Sequence, residues 1–294
     1  MVVVATGFFD GVHLGHRLVI DALVRKARQT GGTSVVATFW PHPRTVLQNG
    51  ARELRLLSSL QEKKMLLESL GVDRVEVLGF TRSFSSMTAR QYLQDVVIGH
   101  FHADAIVLGY DNRMGSDALS REEIISLAGS LGLEVVSPDT FYNDDSAPVS
   151  STMIRKTISS GDVASASAML GYNYPLHGVV VAGNRMGRTI GFPTANMQLY
   201  EPLKLLPGNG VYLVDVETLG CRFRGMTNVG VRPTVSSAAV TTIETNIFDF
   251  DEQIYGLDIK VSFLKKIRDE RRFASLEELR LQLENDRRIC ILEK

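Results

Sequence analysis

The sequence predicts two domains of different class: an N-terminal α/β domain on a doubly wound parallel sheet, then an antiparallel β-barrel domain with a C-terminal helix. Two observations carry this. In the first half, short β-branched runs alternate with amphipathic helical segments, the pattern of βαβ crossovers. After about residue 170, strand-like runs succeed one another through Gly- and Pro-bearing turns, the pattern of a barrel.

Val2–Thr6 reads as a buried strand and Gly15–Thr30 as a helix with Leu18, Ala22 and Val24 among basic residues. Ser34–Phe39 is the next strand. Ser59 with Glu62, Thr88 with Gln91 and Ser120 with Glu123 have the spacing of capping boxes, so each opens a helix. Arg74–Phe80, Ala105–Leu108 and Leu133–Val136 supply the remaining strands of a Rossmann-like sheet, which binds ligands beyond the carboxyl ends of its strands. The Ser- and Ala-rich stretch 159–170 reads as a helical connector. Five strand-like runs come after it: Gly178–Ala182, Gly210–Glu217, Arg222–Val229, Ile243–Phe250 and Ile259–Leu264. A last helix has Ser275 and Glu278 as its capping box and Leu276, Leu279 and Leu283 as its apolar stripe. The predicted boundaries are 1–158, 159–170 and 171–294.

Composition narrows the class. With 44% hydrophobic and 22% charged residues, the chain can bury real cores. A formal net charge of -1 excludes the electrostatic footprint of a nucleic-acid binder. The two cysteines, Cys221 and Cys290, allow at most one disulfide, which points to a reducing, cytoplasmic setting. Apolar runs such as Val179–Ala182 are too short to span a bilayer, and the strand-like Val2-Val3-Val4 comes after Met1 without a signal-like segment. Oligomeric state, a homo-oligomer included, stays open.

The sharpest chemical signal is Gly7-Phe8-Phe9-Asp10-Gly11-Val12-His13-Leu14-Gly15-His16, between the first strand and the first helix. Gly11 and Gly15 allow a tight turn and close approach to a ligand. The helix start beyond them offers free N–H groups that suit phosphate. His13 and His16 are spaced to donate to one phosphoryl group and stabilise its charge as it transfers, with no covalent intermediate. A second string, Gly187-Arg188-Thr189-Ile190-Gly191-Phe192-Pro193-Thr194-Ala195-Asn196, offers glycine turns and hard oxygens that suit phosphates and Mg²⁺. Further along the chain, Glu244 on a strand can accept a proton from an attacking alcohol.

The first string resembles the His-x-Gly-His nucleotidyltransferases, and the set as a whole resembles the prokaryotic bifunctional riboflavin kinase/FAD synthetase family. Further segments support the resemblance: Phe39-Trp40-Pro41-His42-Pro43-Arg44, Gly109-Tyr110-Asp111-Asn112-Arg113-Met114-Gly115, Ser150-Ser151-Thr152-Met153-Ile154-Arg155, Asn228–Thr234 and Ile243–Phe250 with Tyr255-Gly256. The likeness implies ATP-dependent phosphorylation of riboflavin to FMN, then transfer of AMP from a second ATP to FMN. It implies catalytic roles for His13, His16, Arg155 and Glu244. Gly7, Phe8, Asp10, Gly15, Ser151 and Thr152 would bind the phosphates of one ATP, and Gly187, Gly191 and Thr194 those of the other. Pro41, His42, Asp111 and Asn112 would line the flavin, and Thr194 and Asn196 would hold Mg²⁺. The chain departs from the family pattern at Asn112, Met114 and Ser116-Asp117, where aromatic and basic residues are usual, and at Asn246, where His is common. An alternative reading is therefore a riboflavin kinase whose adenylyltransferase half is weakened or inactive.

Overall fold

The computed structural model describes residues 1–47, 54–110, 114–139, 141, 148–183, 186–232 and 240–293. The chain divides into two compact units, Met1–Ser151 and Thr152–Lys294.

In the first unit, β1 (Val2–Thr6), β2 (Thr33–Trp40), β3 (Arg74–Gly79), β4 (Ala105–Val107) and β5 (Glu134–Val136) form a parallel sheet in the order β3-β2-β1-β4-β5. Val4 of β1 lies opposite Val35 of β2 and Ile106 of β4. Alternate residues of β1 enter different cores. Val4 packs with Leu93, Val97 and Ile106 on one face, and Val3 and Ala5 with Ile20, Leu23 and Val107 on the other. A sheet apolar on both faces needs helices on both sides, which is why its strands read as unbroken β-branched runs. The strand order reverses between β1 and β4, so the crevice at their carboxyl ends is the expected ligand site.

The helices are α1 (Leu14–Gln29), α2 (Pro43–Leu47), α3 (Leu60–Ser69), α4 (Arg82–Ser85), α5 (Ala89–Gln91) and α6 (Arg121–Ser130). The three expected capping boxes at Ser59, Thr88 and Ser120 each make both reciprocal bonds. Beyond the Thr88 box the helix is not the regular one expected: after α5 the chain widens into a π-helical stretch, Tyr92–His100. Tyr92 at its start hydrogen-bonds Thr6 at the end of β1, 2.6 Å away and buried, and burial pushes its phenol up to about 12.

The second unit opens with α7 (Ser151–Ser159, whose first residue belongs to the first unit) and α8 (Val163–Leu170). The expected single connector is broken at Gly161, whose φ of 89° brings it against Tyr212 and Lys266; an added Cβ would meet both. The barrel is closed in the order β10-β7-β6-β11-β8-β9: β6 (Pro175–Val181), β7 (Ala195–Leu199), β8 (Gly210–Thr218), β9 (Cys221–Arg232), β10 (Val240–Ile247) and β11 (Asp258–Arg268). The β8–β9 hairpin turns on Leu219 and Gly220, both at positive φ, as a two-residue hairpin of this twist requires. One strand escaped the sequence reading. The Pro-Thr-Ala-Asn string, read for its phosphate and Mg²⁺ ligands and not as a strand, runs straight into β7.

Helix α10 (Leu276–Leu292) ends the chain, after a one-turn helix α9 (Met186–Thr189) inside the Gly187 loop. Its expected stripe is corrected. Leu276 is 53% exposed; the inward face continues from Leu283 to the buried Asp286 and Cys290. Its capping box is also partial. Ser275 accepts from the Glu278 N–H, but the Glu278 carboxylate accepts from Ala274 rather than Ser275. No described helix is long and apolar enough to cross a membrane.

Candidate active sites

In the first unit, the predicted turn sits at the reversal point of the sheet, directly after β1. Gly11 has φ 78°, and Phe9 and Val12 are also at positive φ, which is costly for residues with a Cβ. Gly15 serves differently: an added Cβ would press within 3.4 Å of the His13 ring and of the Val149 carbonyl. His13 is the N-cap of α1, and its Nδ1 accepts the His16 N–H at 3.4 Å. That leaves Nε2 to carry the ring proton of a neutral His13. The His13 and His16 rings stack with centroids 3.6 Å apart. His16 is held well below the usual imidazole range, first by burial, then by the charges of His13 and Lys63; its buried Nδ1 has no hydrogen-bond partner among the described residues.

The other predicted residues divide. Gly7 lies under the Phe9 ring, which an added Cβ would crowd at 3.1 Å. Phe8 packs against the His42 ring at 4.1 Å, and His42 Nδ1 accepts the Arg44 N–H at the start of α2. Pro41 comes after a cis Trp40–Pro41 bond in the same loop. Ser151 donates to the Asp10 carbonyl at 3.1 Å, which ties the Ser-Ser-Thr segment to the turn. Asp10 itself is committed inward. Its carboxylate accepts from the Leu57 and Ser58 N–H groups at 3.0 Å and from the Ser58 hydroxyl. It holds the turn to the segment before α3, a job different from binding phosphate. Thr152 and Arg155 occupy the first turns of α7, on the second unit. Asp111 and Asn112 lie outside the described residues. The unusual residues after them have structural work: Met114 is in the core, and Asp117 accepts the Ala89 N–H at the start of α5.

Sequence reasoning missed Lys63 of α3. It is fully buried, with Nζ 3.5 Å from the centroid of the Phe8 ring and 3.4 Å from the Thr38 hydroxyl. Burial draws it down to about 8, with Asp10 pulling the other way. A Lys on an amphipathic helix reads as solvated, so no local signal marked it.

In the second unit, register assembles the site. Glu244 of β10 pairs with Asn196 of β7 on one side and Asn228 of β9 on the other. Asn196 packs against Gly183, where an added Cβ would fall within 2.2 Å of its carboxamide. The Gly187 loop closes on itself: the Phe192 N–H donates to the Gly187 carbonyl at 2.8 Å. Gly191, at φ 81°, permits that closure. The strand expected over Ile243–Phe250 is corrected at its end, because β10 stops at Ile247. Asn246 is buried and donates to the Pro193 carbonyl at 2.7 Å, so it fastens the Pro-Thr-Ala-Asn string to β10. A cavity of about 370 Å³ is lined by Arg188, Pro193, Thr194, Thr245, Asp251 and Tyr255, among others. Thr194 lines it, whereas Glu244 and Asn196 are not among its lining residues. A second, more open groove of about 560 Å³ runs between Gly191-Phe192 and the Arg280, Arg287 and Arg288 side of α10.

Comparison with known proteins gives a consistent picture. The family model for FAD synthetase matches residues 1–153, and that for riboflavin kinase matches residues 170–291. A bifunctional riboflavin kinase/FMN adenylyltransferase of Bacillus subtilis is 36% identical over 98% of this chain and 91% of its own length. The protein of the same description from Escherichia coli K12 is 35% identical over 97% and 90%. A crystal structure described as a macrolide-efflux protein from Streptococcus pneumoniae superposes with a TM-score of 0.92 at 34% identity, covering 99% of this chain and 94% of that one.

Proposed function

Since this chain belongs to the bifunctional riboflavin kinase/FMN adenylyltransferase family and carries both activities, we propose that the turn before α1 is its adenylyl-transfer site and that the Glu244–Asn196 register is its kinase site. We assign residues 1–158 to the first activity and 171–294 to the second, with 159–170 between them, in a protein of the cytosol.

In adenylyl transfer, an oxygen of the FMN phosphate attacks the α-phosphorus of ATP. The bond from that phosphorus to the bridging oxygen breaks, and pyrophosphate leaves. The nucleophile is already an anion near neutral pH, so the site needs no general base. It needs donors for the charge that builds up. His13 Nε2, His16 and the first N–H groups of α1 supply them, and the Ser151 hydroxyl stands beside the same turn. Thr152 and Arg155 are proposed to hold the leaving pyrophosphate, and Pro41, His42, Asp111 and Asn112 the flavin.

In the kinase reaction, the 5′-hydroxyl of riboflavin attacks the γ-phosphorus of ATP, the proton passes to the Glu244 carboxylate, and ADP leaves. The Gly187–Gly191 turn is proposed to cover the phosphates. The Thr194 hydroxyl and the Asn196 carboxamide oxygen are hard donors, and Asn196 is seated where only a glycine neighbour fits; this set suits Mg²⁺. Bound there, the ion would neutralise phosphate charge and favour the leaving group.

The observation that carries the two-site reading is separation: His13 and His16 lie in one compact unit, and Glu244, Thr194 and Asn196 in the other. The test is to incubate the protein with riboflavin, ATP and Mg²⁺ and separate the flavins over time. FMN should appear first and FAD second. If FMN accumulated and supplied FMN gave no FAD, the adenylyl-transfer assignment would fall.

A further inference from the structure

The string that carries Thr194 is fastened to the barrel on both sides of that residue. After it, Ala195 lies opposite Thr245 and Asn196 opposite Glu244 in the β7–β10 pairing. The pairing ends there, short of Pro193, whose ring nitrogen has no N–H to give to a ladder. Before it, Phe192 is buried in the cluster with Met226 and Phe248. Pro193 is held by a side chain instead: its carbonyl accepts from Asn246 Nδ2 at 2.7 Å. A carbonyl only accepts, so the Asn246 carboxamide must turn its nitrogen toward Pro193.

Asn246 is itself fixed. Its backbone pairs with Met226 of β9, and a Cβ added at Gly225 would fall 2.6 Å from its carbonyl oxygen. The hydroxyl of the preceding residue, Thr245, bonds the Thr227 hydroxyl at 2.8 Å, with both residues fully buried. Asn246 is buried as well, and a buried carboxamide costs free energy unless it is hydrogen-bonded. An apolar side chain of the same size would fill the space without that cost. The bond it makes goes to the peptide unit that leads into Thr194. Pro193 and Thr194 both line the cavity of about 370 Å³, with Arg188, Asp251 and Tyr255.

We propose that Asn246 is a positioning residue for the kinase reaction, a reading that rests on the assignment of Thr194 and Asn196 to the phosphates and Mg²⁺ of ATP. The peptide bond is planar, so holding the Pro193 carbonyl also sets the Thr194 N–H and the direction in which Thr194 leaves the plane. With Ala195 paired on the far side, Thr194 stands between two fixed points before nucleotide arrives. A ligand set ordered in advance loses less entropy on binding, which appears as affinity. Without the Asn246 donor, the Pro193–Thr194 peptide can rotate and the hydroxyl no longer meets the phosphate in one geometry. Misplacement by about 1 Å can cost about 100-fold in rate.

The experiment compares the full-length wild type with Asn246→Leu, which keeps the volume and removes the donor, and with Asn246→Ala. Mg²⁺·ADP binding is measured by calorimetry, and FMN formation with the KM for ATP and for riboflavin determined separately. Circular dichroism and FAD formation from supplied FMN report folding. Each variant should bind Mg²⁺·ADP about tenfold more weakly, raise the KM for ATP about tenfold and lower kcat, with the KM for riboflavin unchanged. A purely structural side chain would lower the unfolding temperature without that split between substrates. Unchanged Mg²⁺·ADP binding in folded Asn246→Leu, or equal rises in both KM values, would overturn the role of Asn246. If the Leu variant does not fold, the same outcomes in Asn246→Ala decide it. Thr194→Val tests the premise apart from this: undiminished Mg²⁺·ADP binding and FMN formation in that variant would remove the Thr194 assignment, and the role of Asn246 with it.

Discussion

The two halves of this molecule solve the same problem, holding ATP phosphates against a flavin, by opposite constructions. In the first unit the proposed site is a turn. Ten consecutive residues, Gly7 to His16, leave β1, bend at positive φ and enter α1, so the chemistry is contiguous in sequence. In the second unit the proposed site is a register. Glu244, Asn196 and Asn228 come from three strands and meet only because β10 pairs with β7 and β9 in a particular alignment. A turn at the reversal point of a parallel sheet is stabilised by the sheet behind it and can vary in sequence along its rim. A register site has no such freedom, because a slip of one residue would turn Glu244 to the other face.

The largest expected effect comes from splitting the two constructions. Glu244→Gln should lower FMN formation by about 100-fold or more while FAD formation from supplied FMN continues; His16→Ala should do the reverse. Chromatography of flavins from the two substrates distinguishes them, and a folded variant that lost both activities would defeat the separation.

The next effect is on stability and concerns the barrel alone. Asp286, fully buried on α10, accepts from Arg268 of β11 at 2.8 Å and from Gln282 at 2.7 Å. Asp286→Ala leaves the guanidinium facing an emptied pocket and should cost about 3–5 kcal/mol. Urea unfolding monitored by riboflavin kinase activity would show it, with FAD formation from FMN lost at a separate, higher denaturant concentration.

Asp10→Asn tests the turn more gently. An NH₂ replaces an oxygen that now accepts the Leu57 N–H, for about 1–3 kcal/mol. Urea unfolding followed by FAD formation from supplied FMN would measure the loss, and an unchanged midpoint would show that the Asp10 carboxylate does not hold the turn.

The smallest effect belongs to Ser120→Ala. It removes a capping box on α6, none of whose residues is assigned to a site, and should cost about 1 kcal/mol with both activities unchanged. Thermal unfolding of the variant beside the wild type measures it.

Much of the fold was legible because its signals are local. The three capping boxes of the first unit place helix starts through bonds spanning three residues, and β1 and β2 announce themselves by β-branched runs that need burial on both faces. The histidine turn was legible for the same reason. The errors fall where distant contacts decide. Strand β7 went unassigned because Ala195–Leu199 forms a strand only when β6 and β10 pair with it. The stripe of α10 moved toward its C-terminus because the barrel presents its apolar cluster to Leu283 and Cys290, not to Leu276. Asp10 and Ser58 are 48 positions apart, so no spacing could reveal that the carboxylate is spent on holding the turn.

What the sequence by itself determined is the class of each half, the turn that carries the two histidines, and the family to which both halves belong. These rest on periodicity, caps and contiguous motifs, interactions that close within a few residues. Tertiary structure alone decided the closure of the barrel, the alignment of Glu244 with Asn196 and Asn228, and the burial of Lys63 beneath Phe8. Each depends on groups far apart in the chain being brought into one low-dielectric place, where register fixes which atoms meet and burial changes the cost of a charge.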